Sequence, residues 1–221
     1  MSKIEISSVN GDCIFKKNIY LVDKSGLSVI FNGDRNYVYI QQDNINEIYK
    51  LPDTEVVVPK AKIFQKQQIK EVTIMQCSKR GFSAKGFTSK MHFDSTYSNA
   101  SIDIKMPYDI VFNIEDVEQF ILFADNFFKK KSVDYLEVFE YVELDINNII
   151  KNVVGNSGIY VIEDLETNTL ELEEEIIKLI NGSDKIKKIG LHFEKITIQI
   201  VDDYEHRLEK KIVQKNKQLY R

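Results

Sequence analysis

Residues 101–120 carry the pattern that most constrains the fold of this chain. They read "SIDIKMPYDIVFNIEDVEQF", with apolar residues first at every second position and then at helical spacing. Alternation is typical of a strand with one buried face, and recurrence every three to four residues is typical of an amphipathic helix. The alternating set is Ile102, Ile104, Met106, Tyr108, Ile110, Phe112 and Ile114, and the helical set begins with Val117, Phe120 and Ile121. We therefore predict one long strand that runs straight into a helix. Pro107 cannot donate a ladder hydrogen bond, so we expect a bulge or an unpaired edge there.

The first half of the chain, to about residue 112, is predicted to form a sheet. Short β-branched runs alternate with turn residues, and Asn32-Gly33 is a strong signal for a two-residue hairpin. The short turns favour mostly antiparallel pairing. The segment "SKRGFSAKGFTSK", residues 78–90, is the most loop-like in this half.

The second half is predicted to be largely helical. Helices are expected at 115–130, with Asn113 as N-cap, from Ser132 or Asp134 to Gly155, and at 169–181. The first of these is expected to turn Val117, Phe120, Ile121, Ala124, Phe127 and Phe128 to one side. A last strand follows Gly190, and a slip of its alternation at Glu194-Lys195 predicts a β-bulge.

These elements predict the α+β class: a mostly antiparallel sheet in the N-terminal half, packed with three helices, a late strand and a short C-terminal helix. The expected divisions are an N-terminal strand or arm over 1–18, one α+β domain over 19–202 and a charged helical tail over 203–221. The apolar residues of the tail are too sparse for a stable isolated helix. The tail either assembles with other copies or packs on its own domain. Its predicted interface residues are Leu208, Ile212 and Leu219, with Glu205, Arg207, Glu209 and Lys210 as pairing charges.

No motif in the sequence predicts catalysis, a cofactor or a metal. His92, His192 and His206 have no ligand spacing, and neither Cys13 nor Cys77 lies near a histidine in the sequence. The segment "GFSAKGFT", residues 81–88, has Phe where a phosphate loop needs Lys, so we expect a turn loop with packed aromatics.

Charge and hydropathy limit the expected partners and location. The net charge of −4 argues against nucleic acid, and the lysine runs at 129–131 and 185–188 are interpreted as solvated faces. Two cysteines without disulfide spacing favour a reducing, cytoplasmic location. No apolar run is long enough for a secretory signal or a membrane span, so any membrane contact is expected to be peripheral.

Residues 86–120 resemble the SPFH domain of stomatin, prohibitin and flotillin, and most closely its virion-core-like bacterial branch. The matching positions are Thr88, Phe93, Asp94, Ser95, Tyr108, Ile114, Asp116 and Phe120. "VVVPKAKIF" at 56–64 and "GLHFEKITIQI" from Gly190 also fit, so the resemblance covers most of the chain from about residue 19. The chain departs from the family in having no Cys-x-x-Cys zinc ribbon, no membrane hairpin and only a short tail.

The resemblance implies a non-enzymatic scaffold that self-associates and recruits other proteins, with a membrane surface as a further place of action. One alternative is a structural or accessory protein of a phage or mobile element. Another is an enzyme whose site the fold assembles around His92, His192 and Asp94.

Overall fold

The computed structural model describes residues 2–7, 9, 11–22, 27–32, 36–42, 45–50, 55–58, 70–78, 80–95 and 101–200. The strands are β1 (Ser2–Ser7), β2 (Cys13–Val22), β3 (Leu27–Asn32), β4 (Asn36–Gln42), β5 (Ile45–Lys50), β6 (Glu55–Val58), β7 (Lys70–Ser78), β8 (Phe82–Phe87), β9 (Met91–Asp94), β10 (Ser101–Ile104), β11 (Pro107–Ile114), β12 (Ser132–Asp134) and β13 (Leu191–Ile198). The helices are α1 (Val117–Phe128), α2 (Tyr135–Asn156), α3 (Ile162–Thr167), α4 (Thr169–Gly182) and α5 (Asp184–Lys188). The predicted α+β class is confirmed. The described ranges hold five helices where three were expected, because the short α3 and α5 were not predicted.

The chain divides into two compact units. The first unit comprises 1–82, 113–139 and 184–192, and the second comprises 83–112, 140–183 and 193–221. The boundaries predicted at residues 18 and 202 stay a prediction. Among the described residues, no helix is long and apolar enough to cross a membrane.

The main sheet of the first unit has the strand order β12-β2-β7-β4-β5. Its pairings are antiparallel, as predicted. Helix α1 packs on β2, β7 and β4, and Lys17 of β2 forms an ion pair with Asp125 of α1 at 2.6 Å. Val72 and Ile74 on one face of β7 and Met75 and Cys77 in its second half are all buried. This central strand is therefore covered on both faces.

The hairpin predicted at Asn32-Gly33 does not form. Strand β3 pairs in parallel with β1 and antiparallel with β6, whereas β4 pairs with β5 and β7. The two strands that flank this turn signal thus belong to different sheets. A turn preference is local, and pairing with strands that are distant in the sequence outweighs it here.

The start of α1 is fixed by Asp116 and Gly190. Asp116, not the predicted Asn113, is the N-cap, and its carboxylate accepts a hydrogen bond from the Gln119 N–H at 3.0 Å. The Gly190 carbonyl accepts hydrogen bonds from the N–H groups of Glu115 at 2.9 Å and Asp116 at 3.2 Å. Gly190 has φ +72°, and a Cβ there would collide with the Asp116 carbonyl. Only glycine fits this joint without strain.

The sheet of the second unit has the order β13-β11-β8, and β9 pairs with β10 beside it. The long strand predicted over 101–114 is therefore divided at residues 105–106. Buried Thr88 bridges the break, since its N–H donates to the Met106 carbonyl and its hydroxyl accepts the Met106 N–H, both at 2.9 Å. Pro107 begins β11, the middle strand of its sheet, so the expected unpaired edge there is wrong.

Residues 82–87 form strand β8 rather than the predicted loop. Their side chains alternate between buried and exposed, with Phe82 buried and Phe87 exposed. Gly86 lies against the ring of buried Tyr108, and a Cβ at this position would collide with that ring. Burial, followed by the negative charge of Glu143, raises the pKa of the Tyr108 phenol. The sequence of residues 78–90 predicts a loop because its two glycines mimic turn signals.

The two remaining long helices lie close to their predicted ranges. Helix α2 begins at Tyr135, after the unpredicted strand β12, and α4 ends at Gly182. The predicted slip in β13 appears as two consecutive exposed residues, Glu194 and Lys195, between buried Phe193 and Ile196.

Candidate interaction surface

Helix α1 presents large apolar side chains on its outer side. Its buried face consists of Val117, Phe120, Ile121 and Ala124, which pack toward the sheet of the first unit. Leu122 and Phe127 remain 40% and 52% exposed. Phe127, which the sequence groups on the same side as these four residues, is thus largely exposed. Exposing a leucine or phenylalanine forgoes about 1.5–3 kcal/mol that its burial would provide, so this face is a candidate for contact with another molecule.

Three phenylalanines form a cluster at the end of α1. Phe123 and Phe127 stack with ring centroids 5.4 Å apart. Phe128 packs edge-on against both, with centroids 5.0 Å from Phe127 and 5.7 Å from Phe123. Such pairs contribute roughly 0.5–1.5 kcal/mol beyond their buried area. The cluster therefore presents a preorganised aromatic surface.

Exposed lysines follow this cluster directly. Lys129 ends α1 in the left-handed conformation, with φ 53°, and Lys129 and Lys131 are exposed. Lys130 forms an ion pair with Glu137. The hydrogen bond from Lys130, together with one from the Asp134 N–H, lowers the pKa of the Glu137 carboxyl.

We define the α1 patch as Leu122, Phe123, Phe127, Phe128, Lys129 and Lys131. It combines apolar and aromatic area with positive charge. Aromatic side chains dominate binding energy where they enter a partner's pocket, and surrounding charges choose the partner and its orientation. The patch thus suits docking to a surface that carries both an apolar side chain and negative charge. The α1 patch was not predicted from the sequence, although Leu122 lies opposite the buried row of α1 at helical spacing.

The residues proposed for a hidden enzyme site form surface pairs. His92 and Asp103 pair at 2.9 Å, and their side chains are 67% and 59% exposed. Asp94 accepts a hydrogen bond from the Ser101 hydroxyl at 2.7 Å. His92 and Asp94 thus share one face of β9 and have partners on β10. Exposed ion pairs of this kind contribute at most about 1 kcal/mol.

His192 belongs to the first unit and lies 3.8 Å from Glu115. Within the described ranges, no group of three or more histidine, cysteine, aspartate or glutamate side chains could hold a metal ion. Cys13 and Cys77 are not joined in a disulfide, and the Cys13 Sγ lies 3.2 Å from the Ser132 hydroxyl.

The interface predicted in the C-terminal tail lies outside the described residues. This applies to Glu205, Arg207, Leu208, Glu209, Lys210, Ile212 and Leu219. Their part in assembly stays a prediction.

Comparison with known proteins found no family model and no curated protein that matches the chain.

Proposed function

We propose that this chain is a non-enzymatic scaffold protein that associates with copies of itself and recruits other proteins. The observation that carries the proposal is the α1 patch, where Phe127 is 52% exposed beside two exposed lysines. Apolar area of this kind, ringed by charge, is characteristic of protein–protein contacts. The SPFH-like sequence pattern supports the same function, because proteins of that family assemble side by side.

The proposed location is the cytoplasm, with a membrane surface as a further place of action. The two cysteines, which are not joined in a disulfide, support a reducing compartment. Lysines beside exposed phenylalanines would also suit an anionic lipid surface, which makes vesicle binding a necessary comparison in the tests below.

Mass photometry and light scattering of the full chain test self-association. We expect species heavier than the 25.8 kDa monomer, and we expect Phe127→Asp to reduce them strongly. Phe87→Asp is the matched control, because Phe87 is 55% exposed in the second unit and lies outside the α1 patch. A wild-type chain that stays monomeric at high micromolar concentration would contradict the proposal.

A second variant separates the α1 patch from the tail. Deletion of 203–221 removes the seven tail residues that the sequence analysis assigned to assembly. If the α1 patch is sufficient for self-association, the truncated chain still assembles and Phe127→Asp abolishes that assembly. If the deletion alone produces monomers, the tail is required and the sequence prediction holds.

A further inference from the structure

Helix α4, in the second unit, has an outer face of opposite charge to the α1 patch. Leu170 is 69% exposed, and Glu171, Glu174 and Glu175 are exposed around it. The inner face of α4 buries Leu172, Ile176 and Ile180. We define the α4 face as Leu170, Glu171, Glu174 and Glu175. Like the α1 patch, it leaves a large apolar side chain beside charges that are mostly of one sign. The exceptions are exposed Lys178, which follows the glutamates of α4, and exposed Glu118, which precedes Leu122 on α1.

We infer that the α1 patch of one copy docks on the α4 face of a second copy. This inference rests on the proposed self-association and specifies its two surfaces. Lysines 129 and 131 would face the glutamates, while the phenylalanine cluster would cover Leu170. Opposite charges around an apolar centre favour the correct partner and speed its approach. Phe127 and Leu170 are both largely exposed, so each surface has apolar area available for such a contact.

Two other contacts that the α1 patch could make with described residues of a second copy are less favourable. An α1-to-α1 contact would bring the lysines of both copies together, and like charges across an interface oppose binding. Leu144 on α2 is 70% exposed, but within one helical turn it has a single exposed acidic residue, Glu140. The α4 face offers two within one turn of Leu170, namely Glu171 and Glu174, and Glu175 lies one residue beyond them.

A contact between two different surfaces leaves a free α4 face on one copy of the pair and a free α1 patch on the other. Further copies can then add in the same direction, and they form a closed ring or an open filament according to the rotation between neighbours. Assembly of this kind has no fixed limit of two copies.

Two surface variants and their mixture test the contact. Phe127→Asp removes the α1 patch, and Leu170→Lys removes the α4 face. We expect each variant alone to be monomeric, with association weakened roughly 30-fold or more. Mixed together, they should form a 1:1 pair, because the first keeps its α4 face and the second keeps its α1 patch. Phe87→Asp and Leu144→Lys are the controls of equal exposure and should assemble like wild type.

The charges are tested without changing the apolar residues. The double variant Lys129→Gln, Lys131→Gln removes two exposed charges and leaves the apolar residues of the α1 patch in place. An unchanged circular dichroism spectrum would show that any loss of assembly does not come from misfolding. We expect about 10-fold weaker association and a smaller dependence of assembly on salt concentration than in wild type.

Each outcome supports or overturns the inference. Assembly of Leu170→Lys alone would show that α4 is not the counter-surface, while self-association itself would stand. Failure of the mixture to pair would also overturn it. A monomeric wild-type chain would remove the proposed function as well. Flotation of that monomer with anionic vesicles, lost in Phe127→Asp, would assign the α1 patch to a lipid surface instead.

Discussion

Helices α1 and α4 each flank the sheet of their own unit, but α1 covers a sheet face and α4 covers a sheet edge. Helix α1 lies on the face of the five-stranded sheet of the first unit through apolar side chains. Helix α4 reaches the edge strand β13 with polar ones: Asn181 accepts from the Phe193 N–H and donates to its carbonyl, both at 2.9 Å. Glu173 accepts from the Ile198 N–H at 2.7 Å.

The difference follows from what each part of a sheet requires. A sheet face needs apolar cover, whereas a sheet edge needs hydrogen-bond partners for its backbone. Asn181 takes the place of a neighbouring strand and blocks pairing of β13 with another chain at that residue. Both helices therefore have an inner side matched to their own unit. Their outer sides, aromatic and basic on α1 and acidic on α4, are left for other molecules.

The largest expected effect comes from breaking the anchor of α1. Gly190→Ala forces a Cβ into a residue with φ +72° and against the Asp116 carbonyl. We expect the free energy of unfolding to fall by about 3 kcal/mol, from backbone strain and steric overlap together. Urea denaturation measures this loss.

Gly155→Ala in α2 is the matched control for that experiment. A Cβ at Gly155 has no neighbouring heavy atom within 4 Å. The free energy of unfolding should therefore rise by about 0.5–1 kcal/mol, because alanine favours the helix. Equal effects of the two substitutions would show that Gly190 has no special role.

The next largest effect is expected at the α4 anchor. Asn181→Ala leaves the Phe193 N–H and carbonyl without their side-chain partner, and we expect a loss of about 2 kcal/mol. Hydrogen exchange at the Phe193 amide should accelerate. Asn148→Ala, an exposed asparagine on α2, should change stability by less than about 0.5 kcal/mol. Unchanged exchange at Phe193 in the Asn181 variant would contradict the edge-capping role.

A smaller effect on stability is expected at the N-cap residues, and it should differ between α1 and α4. Asp116 caps α1 with a hydrogen bond from the Gln119 N–H, whereas Asn168, the N-cap of α4, makes no side-chain cap bond. Asp116→Ala should cost about 1 kcal/mol. Asn168→Ala removes no N-cap bond from α4 and loses only the exposed hydrogen bonds from its amide to the Asp164 carbonyl and the Thr167 hydroxyl, so it should cost about 0.5 kcal/mol. Thermal unfolding of both variants tests the difference, and equal losses would refute it.

Periodicity predicted the elements better than their pairing. Helix α1, helix α4 and the shifted alternation of β13 follow from local spacing and lie near the predicted positions. The hairpin at Asn32-Gly33 and the continuous strand over 101–114 were wrong, because each depends on distant partners. The break in that strand is bridged by Thr88, a residue that no local pattern connects to Met106.

The α1 patch likewise could not be predicted from local spacing alone. A helical pattern ranks positions by angle, and Phe127 falls near the apolar side by that measure. The exposure of Phe127 depends on how far the underlying sheet extends, and the spacing of apolar residues in α1 gives no information about that extent. Leu122 could have been recognised as an outward apolar residue, whereas the acidic surface that we assign to it lies in another segment of the chain.

The smallest predicted effect concerns the ion pair beside the α1 patch. Lys130 lowers the pKa of Glu137 below its ordinary value of 4.5, so the folded state favours the charged carboxylate. Its contribution to stability is present above pH 4.5 and is lost as the pH falls through the folded pKa. Because Lys130 is 55% exposed, we expect a coupling of at most about 0.5 kcal/mol. A double-mutant cycle of Lys130→Met and Glu137→Gln should give this coupling at pH 7 and a smaller one at pH 3. A coupling that persists unchanged at pH 3 would show that apolar packing of the lysine stem, rather than charge, joins α2 to the end of α1.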